Sequence, residues 1–162
     1  GGAESARGRW GGKRRGGGGG GGMMRLIPGR IERETKGAGD LIDITGEVAG
    51  LLKGSGLSMG TVTIFVVGST AAITTFEYEP GLVRDMRELY ERLVPRKRAY
   101  AHDETWGDAN GFSHLRAALQ GPSLAVPFEG GTLLLGRWQQ IVLAEFDNRP
   151  RRRTVAVQVA GE

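Results

Sequence analysis

The sequence contains no cysteine and no apolar run near the roughly 20 residues that a membrane-spanning helix needs. The absence of cysteine excludes disulfide bonds and metal sites built from thiolates. A soluble, cytoplasmic protein is therefore expected, because the reducing cytosol is where such chains ordinarily work. The first residues are basic but no apolar segment follows them, so no secretory signal is expected.

Excess positive charge is absent from most of the chain, although the net charge is +4. Residues 1–22 contain five basic residues and one acidic residue, whereas the remainder contains seventeen of each. This Gly/Arg-rich segment has Trp10 as its only large apolar side chain, which predicts a disordered N-terminal extension. The alternative is an RGG-like tail that binds RNA. The neutral remainder gives no reason to expect nucleic-acid binding.

Residues 24–162 are predicted to form one α+β domain with two or three helices. Its apolar runs do not alternate regularly with helical segments, which argues against a doubly wound parallel sheet. A strand near residues 25–36 is expected to be interrupted at Pro28-Gly29. Further β-branched and apolar runs predict strands at 61–67, 71–76, 124–128, 133–135, 141–146 and 154–159.

The helices are predicted from apolar spacing and from their end signals. Thr45 is a suitable N-cap for a first helix that ends at Gly54. Pro80 fits the first turn of a second helix, and Pro95 stops it. A short third helix is expected to start at Asn110 or a few residues later.

The only two histidines, His102 and His114, bracket the longest irregular segment of the predicted domain. Long loops in compact domains are often functional, and Asp103, Glu104, Asp108 and Asn110 lie between the histidines. Imidazole and carboxylate ligands suit a divalent metal such as Zn²⁺ or Mg²⁺, and imidazole also suits acid–base catalysis. The alternative is that both histidines only form hydrogen bonds in a loop and a helix cap. No standard zinc motif has this spacing.

Small hydroxyl residues follow a predicted buried strand. In Gly68-Ser69-Thr70 the backbone N–H groups can approach an anion, which makes Ser69 and Thr70 candidate substrate contacts. The alternative is a polar strand end with a bulge at Gly68. Glu77, further along, is either a site residue or a solvated charge.

Glu145 lies inside an apolar strand, where an unpaired carboxylate would be costly. It needs a partner, and four arginines follow it within eight residues. These arginines, Arg149, Arg151, Arg152 and Arg153, can bind phosphate groups, or they can form ion pairs at a sheet edge or a subunit interface. Arg152 and Arg153 are the candidate phosphate contacts. Gln139 stands at a strand start beside a tryptophan. The sequence contains no nucleophile elbow, phosphate-binding Walker loop, dinucleotide fingerprint or His-Glu-x-x-His motif.

Taken together, these pieces resemble the YjbQ family, whose members are commonly described as secondary thiamine-phosphate synthases. The resemblance rests on Asp-Ala-Asn-Gly-Phe-Ser-His-Leu-Arg-Ala-Ala-Leu-Gln-Gly at 108–121 and on its neighbours in order. These neighbours are the block 68–77, Tyr100-Ala-His102, Leu135-Gly-Arg-Trp-Gln-Gln-Ile141, Glu145-Phe-Asp147 and the arginine run 151–153. The resemblance covers the chain from Met24 onward.

The resemblance implies a small α+β sandwich that assembles as a homotrimer, with a polar site near the subunit boundary. It carries over His102, Asn110 and His114 as metal or substrate contacts, followed by Glu77 and Gln139. Many members have a histidine where this chain has Gly68. A three-histidine site is therefore not expected, and oxygen ligands or water would complete any metal sphere.

The implied reaction joins a pyrimidine methyl diphosphate to a thiazole phosphate and releases pyrophosphate. Such chemistry needs groups that stabilise a departing diphosphate, and a divalent metal with arginines meets that need. The enzyme hypothesis therefore assigns His102, His114 and Glu77 to catalysis, and His102, His114 and Asp108 to a metal. The competing hypothesis is a non-catalytic homotrimer that binds a metal or a small anion.

Overall fold

The computed structural model describes residues 22–162, and its elements confirm the α+β class. The strands are β1 (Arg25–Thr35), β2 (Asp40–Asp43), β3 (Met59–Val67), β4 (Ala71–Phe76), β5 (Ser123–Glu129), β6 (Thr132–Leu133), β7 (Gln140–Glu145) and β8 (Arg151–Gly161). The helices are α1 (Thr45–Ser55), α2 (Pro80–Leu93), α3 (Asp103–Trp106) and α4 (Gly111–Gln120). The described part thus has four helices where two or three were expected. The extra one, α3, is a single turn too short to carry an apolar period. The predicted disordered extension, residues 1–22, lies outside the described residues except for Gly22.

Two antiparallel sheets form the framework. The larger has the strand order β1-β8-β3-β5-β6, and the smaller has the order β2-β7-β4. Every pairing in both sheets is antiparallel. None of the described helices has the length and apolar character needed to cross a membrane.

The main hydrophobic core lies between the two sheets. Alternate residues of the smaller sheet, such as Ile73, Ile141 and Leu143, pack with the inner face of the larger sheet. Val48 and Leu52 of α1 join the same core and are almost fully buried. Strand alternation accounts for this arrangement, because every second side chain points to the same face.

The outer face of the smaller sheet is covered by helices. Val142 and Ala144, the intervening residues of β7, pack with Val83 and Tyr90 of α2 and Ala117 of α4. The fold is therefore a sandwich with a third, helical layer, so β7 is buried on both faces.

Three local expectations were wrong. Strand β1 runs unbroken through Pro28, because it is an edge strand that pairs only with β8 and needs no donor on its other side. Thr45 lies inside α1 and is not its N-cap. Its hydroxyl donates to Asp43 and accepts the backbone N–H of Ile141 at 2.8 Å. Helix α1 ends at Ser55 with Gly56 as its left-handed cap, so the glycine that ends it lies two residues after the expected Gly54.

Candidate functional site

A polar cleft of about 340 Å³ opens where three separate chain segments meet. Its walls come from the loop between β3 and β4, from the region of α3 and the start of α4, and from the first residues of β8. The lining residues are Gly68, Ser69, Thr70, His102, Trp106, Asp108, Asn110, His114, Arg151 and Arg153. A more apolar hollow of about 370 Å³ adjoins it, shares Gly68, Ser69 and His114, and is completed by alanines and Pro122.

The two histidines form a stacked pair in this cleft. The ring centroids of His102 and His114 lie 4.3 Å apart with a tilt of 35°. His102 precedes α3, and His114 lies in the first turn of α4. The Nδ1 atom of His102 is buried without a hydrogen-bond partner among the described residues, and it lies 3.9 Å from Oδ1 of Asp108. This atom is therefore positioned for a ligand or a proton that the protein itself does not supply.

The pKa of His114 is lower than that of an ordinary histidine. Burial is the main cause, and the neighbouring His102 adds to it. The negative charges of Asp108 and Asp147 oppose the shift but do not cancel it. His114 is therefore a neutral imidazole near pH 7, which is the form that binds metal or accepts a proton.

The loop that carries Asp108 is held in place by hydrogen bonds. The Asn110 amide donates to both carboxylate oxygens of Asp108, at 3.0 and 3.2 Å, when its nitrogen faces them. Asn148 donates to the backbone carbonyl of Asp108 at 2.7 Å. Ala109, between Asp108 and Asn110, adopts a left-handed conformation with a φ of 52°, which non-glycine residues seldom do. Strain of this kind persists where surrounding contacts enforce it.

Two buried carboxylates lie behind the cleft and pair with the arginines that line it. Arg153 donates through Nε and Nη2 to the two oxygens of Glu145, at 2.7 and 2.6 Å. Both residues are buried, and Thr70 accepts a further bond from Arg153 at 2.6 Å. The partner that Glu145 was expected to need among the arginines is thus Arg153.

The second pair joins Asp147 to Arg151, whose Nε donates at 2.6 Å. Burial alone would raise the pKa of Asp147, but hydrogen bonds from Arg151, the backbone of Asn148 and Thr70 hold it below its usual value. Glu145 ends β7 of the smaller sheet and Arg153 belongs to β8 of the larger, so the first pair bridges the sandwich. Asp147 lies two residues beyond β7, and its pair with Arg151 ties that connecting segment to β8.

A group of candidate metal ligands lies at the cleft among residues 22–162. Ligand atoms of His102, Asp103 and Asp108 lie within 4.8 Å of one another. Asp103 already accepts the backbone N–H of Gly111 at 2.8 Å, so it also shapes the loop. The unpartnered Nδ1 of His102 facing Asp108 fits a divalent cation, because it is a buried donor atom with no other use.

The structure brings most, but not all, of the residues predicted from sequence to one place. His102, Asp108, Asn110, His114, Ser69, Thr70 and Arg153 all line the cleft. Arg152 does not line the cleft, since it points to the other face of β8. There its Nε lies 3.7 Å from Oε2 of Glu32.

Glu77 and Gln139 also lie elsewhere. Glu77 is exposed beyond the far end of β4, about 20 Å of strand away from Thr70. Gln139 is near that same end, where it donates to Thr75 at 3.1 Å.

Trp106 also lines the cleft, and no pattern in the sequence pointed to it. Arg151 was expected only as one member of the arginine cluster. The period-2 alternation of β8 separates the members, since it places Arg151 and Arg153 on one face and Arg152 on the other.

A two-sheet α+β sandwich with a histidine-lined cleft is the class of protein that the fold and site define. The family model described as "UPF0047 protein YjbQ-like" matches residues 29–162. A UPF0047 protein from Methanothermobacter thermautotrophicus is 43% identical over 123 residues, covering 76% of this chain and 84% of that protein. The UPF0047 protein YugU of Bacillus subtilis is 33% identical over 124 residues, covering 75% of this chain and 90% of that protein.

Solved structures agree with this assignment. A YbjQ-like protein of unknown function from Sulfolobus solfataricus superposes with a TM-score of 0.80 at 32% identity, covering 86% of this chain and all of that one. A YjbQ/UPF0047 protein from Clostridium acetobutylicum superposes with a TM-score of 0.70 at 35% identity, covering 80% of this chain and 98% of that one. The chain belongs to the YjbQ (UPF0047) family.

Proposed function

We propose that the cleft is a metal-assisted catalytic site for a phosphorylated small molecule, and that the thiamine-phosphate synthase reaction is its chemistry. The observation that carries the proposal is the stacked pair of His102 and His114, with the unpartnered Nδ1 of His102 facing Asp108. A buried imidazole nitrogen without a partner is costly to keep unless a ligand uses it.

His102, His114 and Asp108 would hold the metal in this proposal. Asp103 is the further candidate ligand, because its carboxylate lies within 4.8 Å of the ligand atoms of His102 and Asp108. A divalent ion bound there supplies positive charge for a departing diphosphate. The burial that lowers the pKa of His114 keeps its imidazole neutral and ready to coordinate. Asn110 orients Asp108 through its amide, so it acts on the site through the carboxylate.

The shape of the site suits a substrate with an anionic end and a flat apolar end. The polar cleft and the alanine-lined hollow meet at His114 and share Gly68 and Ser69. In the proposed reaction the bond from the pyrimidine methylene carbon to the diphosphate oxygen breaks. A new bond forms from that carbon to the thiazole nitrogen, and pyrophosphate leaves.

The test is release of pyrophosphate by the purified protein given both substrates, with Mg²⁺ or Zn²⁺ added after chelation. We expect His102→Ala and Asp108→Asn to reduce the rate by at least about 100-fold, in line with loss of a metal ligand or its support. Glu77→Gln is the matched control, because Glu77 lies outside the cleft of its own chain. Unchanged turnover in a His102→Ala, His114→Ala double variant would remove the histidines from the mechanism.

A second candidate is a non-catalytic homotrimer that binds a metal or a small anion. It is favoured by Glu145 and Asp147, which already neutralise the two arginines of the cleft. Less positive charge is then left to stabilise a departing diphosphate. It predicts ligand binding without turnover. Native mass spectrometry checks the homotrimer and the bound ligand together, since it reports the subunit number and any retained ion. A monomer without bound ligand would contradict this candidate.

A further inference from the structure

Arg153 uses only one edge of its guanidinium group within the protein. Nε and Nη2 bind Glu145 and Thr70, whereas Nη1 makes no hydrogen bond within the described residues 22–162. The side chain is only 8% exposed, yet it lines the cleft. A guanidinium held on one edge by a bidentate carboxylate presents its remaining N–H groups in a fixed direction.

Gly68 is what leaves space in front of this edge. A Cβ atom built at Gly68 would lie 2.8 Å from Nη1 of Arg153, closer than Cβ atoms approach other groups. Arg153 cannot move aside freely, because Glu145 and Thr70 hold it. The backbone φ of 145° at this position independently favours glycine.

Two further donors lie along the same wall. Arg151 shares the face of β8 with Arg153 and donates to Asp147 through Nε, while its terminal nitrogens form no other hydrogen bond among the described residues. Its side chain is 34% exposed. Ser69 is exposed next to Gly68, and its hydroxyl is likewise unused within residues 22–162.

We propose that Gly68, Ser69, Arg151 and Arg153 form a slot for the phosphate group of a phosphomonoester or diphosphate, with Gly68 as the residue that keeps the slot open. The inference rests on the proposed function in sharing its cleft, but it requires no metal. Because Glu145 and Asp147 already balance both arginines, the slot selects its ligand through oriented N–H and O–H donors. An oxyanion with several oxygens matches two guanidinium edges and a hydroxyl better than a carboxylate does.

The test is calorimetric titration of the full chain, kept in chelator, with inorganic phosphate and with pyrophosphate. Wild type should bind at least one of them, and Gly68→Ala should weaken binding at least about tenfold, as expected for loss of a charge-assisted hydrogen bond. Gly130→Ala is the matched control. Gly130 also has a positive φ, of 56°, but no atom lies within 4 Å of its Cβ position. The phosphate affinity of Gly130→Ala should stay within about twofold of wild type, because this substitution strains the backbone without touching the slot.

Ser69→Ala keeps the test decisive if Gly68→Ala does not fold. This exposed hydroxyl is not used by the fold, and its loss should weaken phosphate binding by about three- to tenfold. Absence of phosphate and pyrophosphate binding by wild type in chelator, or unchanged affinity in the folded variants, would overturn the slot. Asp108→Asn separates the two proposals, because it should abolish metal-dependent turnover while leaving metal-free phosphate binding in place.

Discussion

At the scale of single residues, the feature with the largest energetic consequence is the buried pair of Glu145 and Arg153. Removing one partner of a buried ion pair leaves the other charge uncompensated in a medium that solvates it poorly. Exposed pairs, such as Arg152 with Glu32, are screened by water and contribute little. Arg153 and Arg152, one from each pair, lie on opposite faces of β8, so a buried and an exposed pair can be compared at neighbouring positions.

We expect Glu145→Gln to lower the free energy of unfolding by about 3–5 kcal/mol. Arg152→Gln should lower it by less than about 1 kcal/mol. Urea denaturation of both variants measures the difference. Equal losses in the two variants would mean that the buried pair does not bear on stability as argued.

Ionisation of Tyr90 lowers the free energy of unfolding at alkaline pH. Burial raises its pKa to about 12 from 10.0, against a smaller opposing effect of Arg116. The protonated phenol, which donates to Gln120 at 2.6 Å, is therefore favoured by the folded state. The stabilisation is complete below pH 10 and disappears as the pH rises from 10 to about 12.

We expect the free energy of unfolding of the wild type to fall by about 2 kcal/mol more than that of Tyr90→Phe across this window. The Phe variant corrects for lysine and arginine titration, which both proteins share. Denaturation curves at pH 9, 10, 11 and 12 measure the effect. Parallel pH profiles in the two proteins would show that the buried phenol is not responsible.

At the scale of elements, α1 owes its place to packing more than to helix propensity. It contains Gly46, Gly50 and Gly54, none of which has an atom within 4 Å of its Cβ position. Its buried residues Val48 and Leu52 supply the attachment to the sheet core. Isolated helices of this length are marginal even with better composition, so tertiary contacts decide whether α1 forms.

Gly50→Ala should therefore stabilise the protein by about 0.5–1 kcal/mol, because alanine restricts the unfolded chain and meets no obstacle in the helix. Ala49→Gly, at the neighbouring exposed position, should destabilise it by a similar amount. Thermal unfolding of the two variants gives shifts of opposite sign. A loss of stability in Gly50→Ala would mean that this face of α1 is covered.

Expectations from sequence succeeded for elements with a local signal and failed where a distant neighbour decides the structure. Strands β3, β4, β7 and β8 were predicted within a few residues, because β-branched alternation is a local signal. The break expected at Pro28 and the cap expected at Thr45 failed, because each depends on a neighbour distant in sequence. Only the sheet order makes β1 an edge strand, and only β7 gives the Thr45 hydroxyl another partner.

At the scale of the whole molecule, two hydrophobic clusters hold the described residues 22–162 together. The first member of either cluster along the chain is Ile27. We expect a chain without residues 1–21 to unfold within about 2 °C of the full chain, since that segment offers only one large apolar side chain, Trp10, for burial. Differential scanning calorimetry of the two chains makes the comparison. A markedly lower midpoint in the shorter chain would assign those residues a structural role.

The sequence by itself determined the α+β class, the buried strands and the need of Glu145 for a cationic partner, since these follow from alternation and desolvation along one segment. It also marked His102, Asp108, Asn110 and His114, which are close along the chain. Tertiary structure alone decided that Arg153 is that partner, that Arg151 faces the cleft and that Glu77 and Gln139 lie at the other end of β4. The physical reason is that a local pattern assigns a side chain to a face, whereas strand order and register decide which distant face it meets.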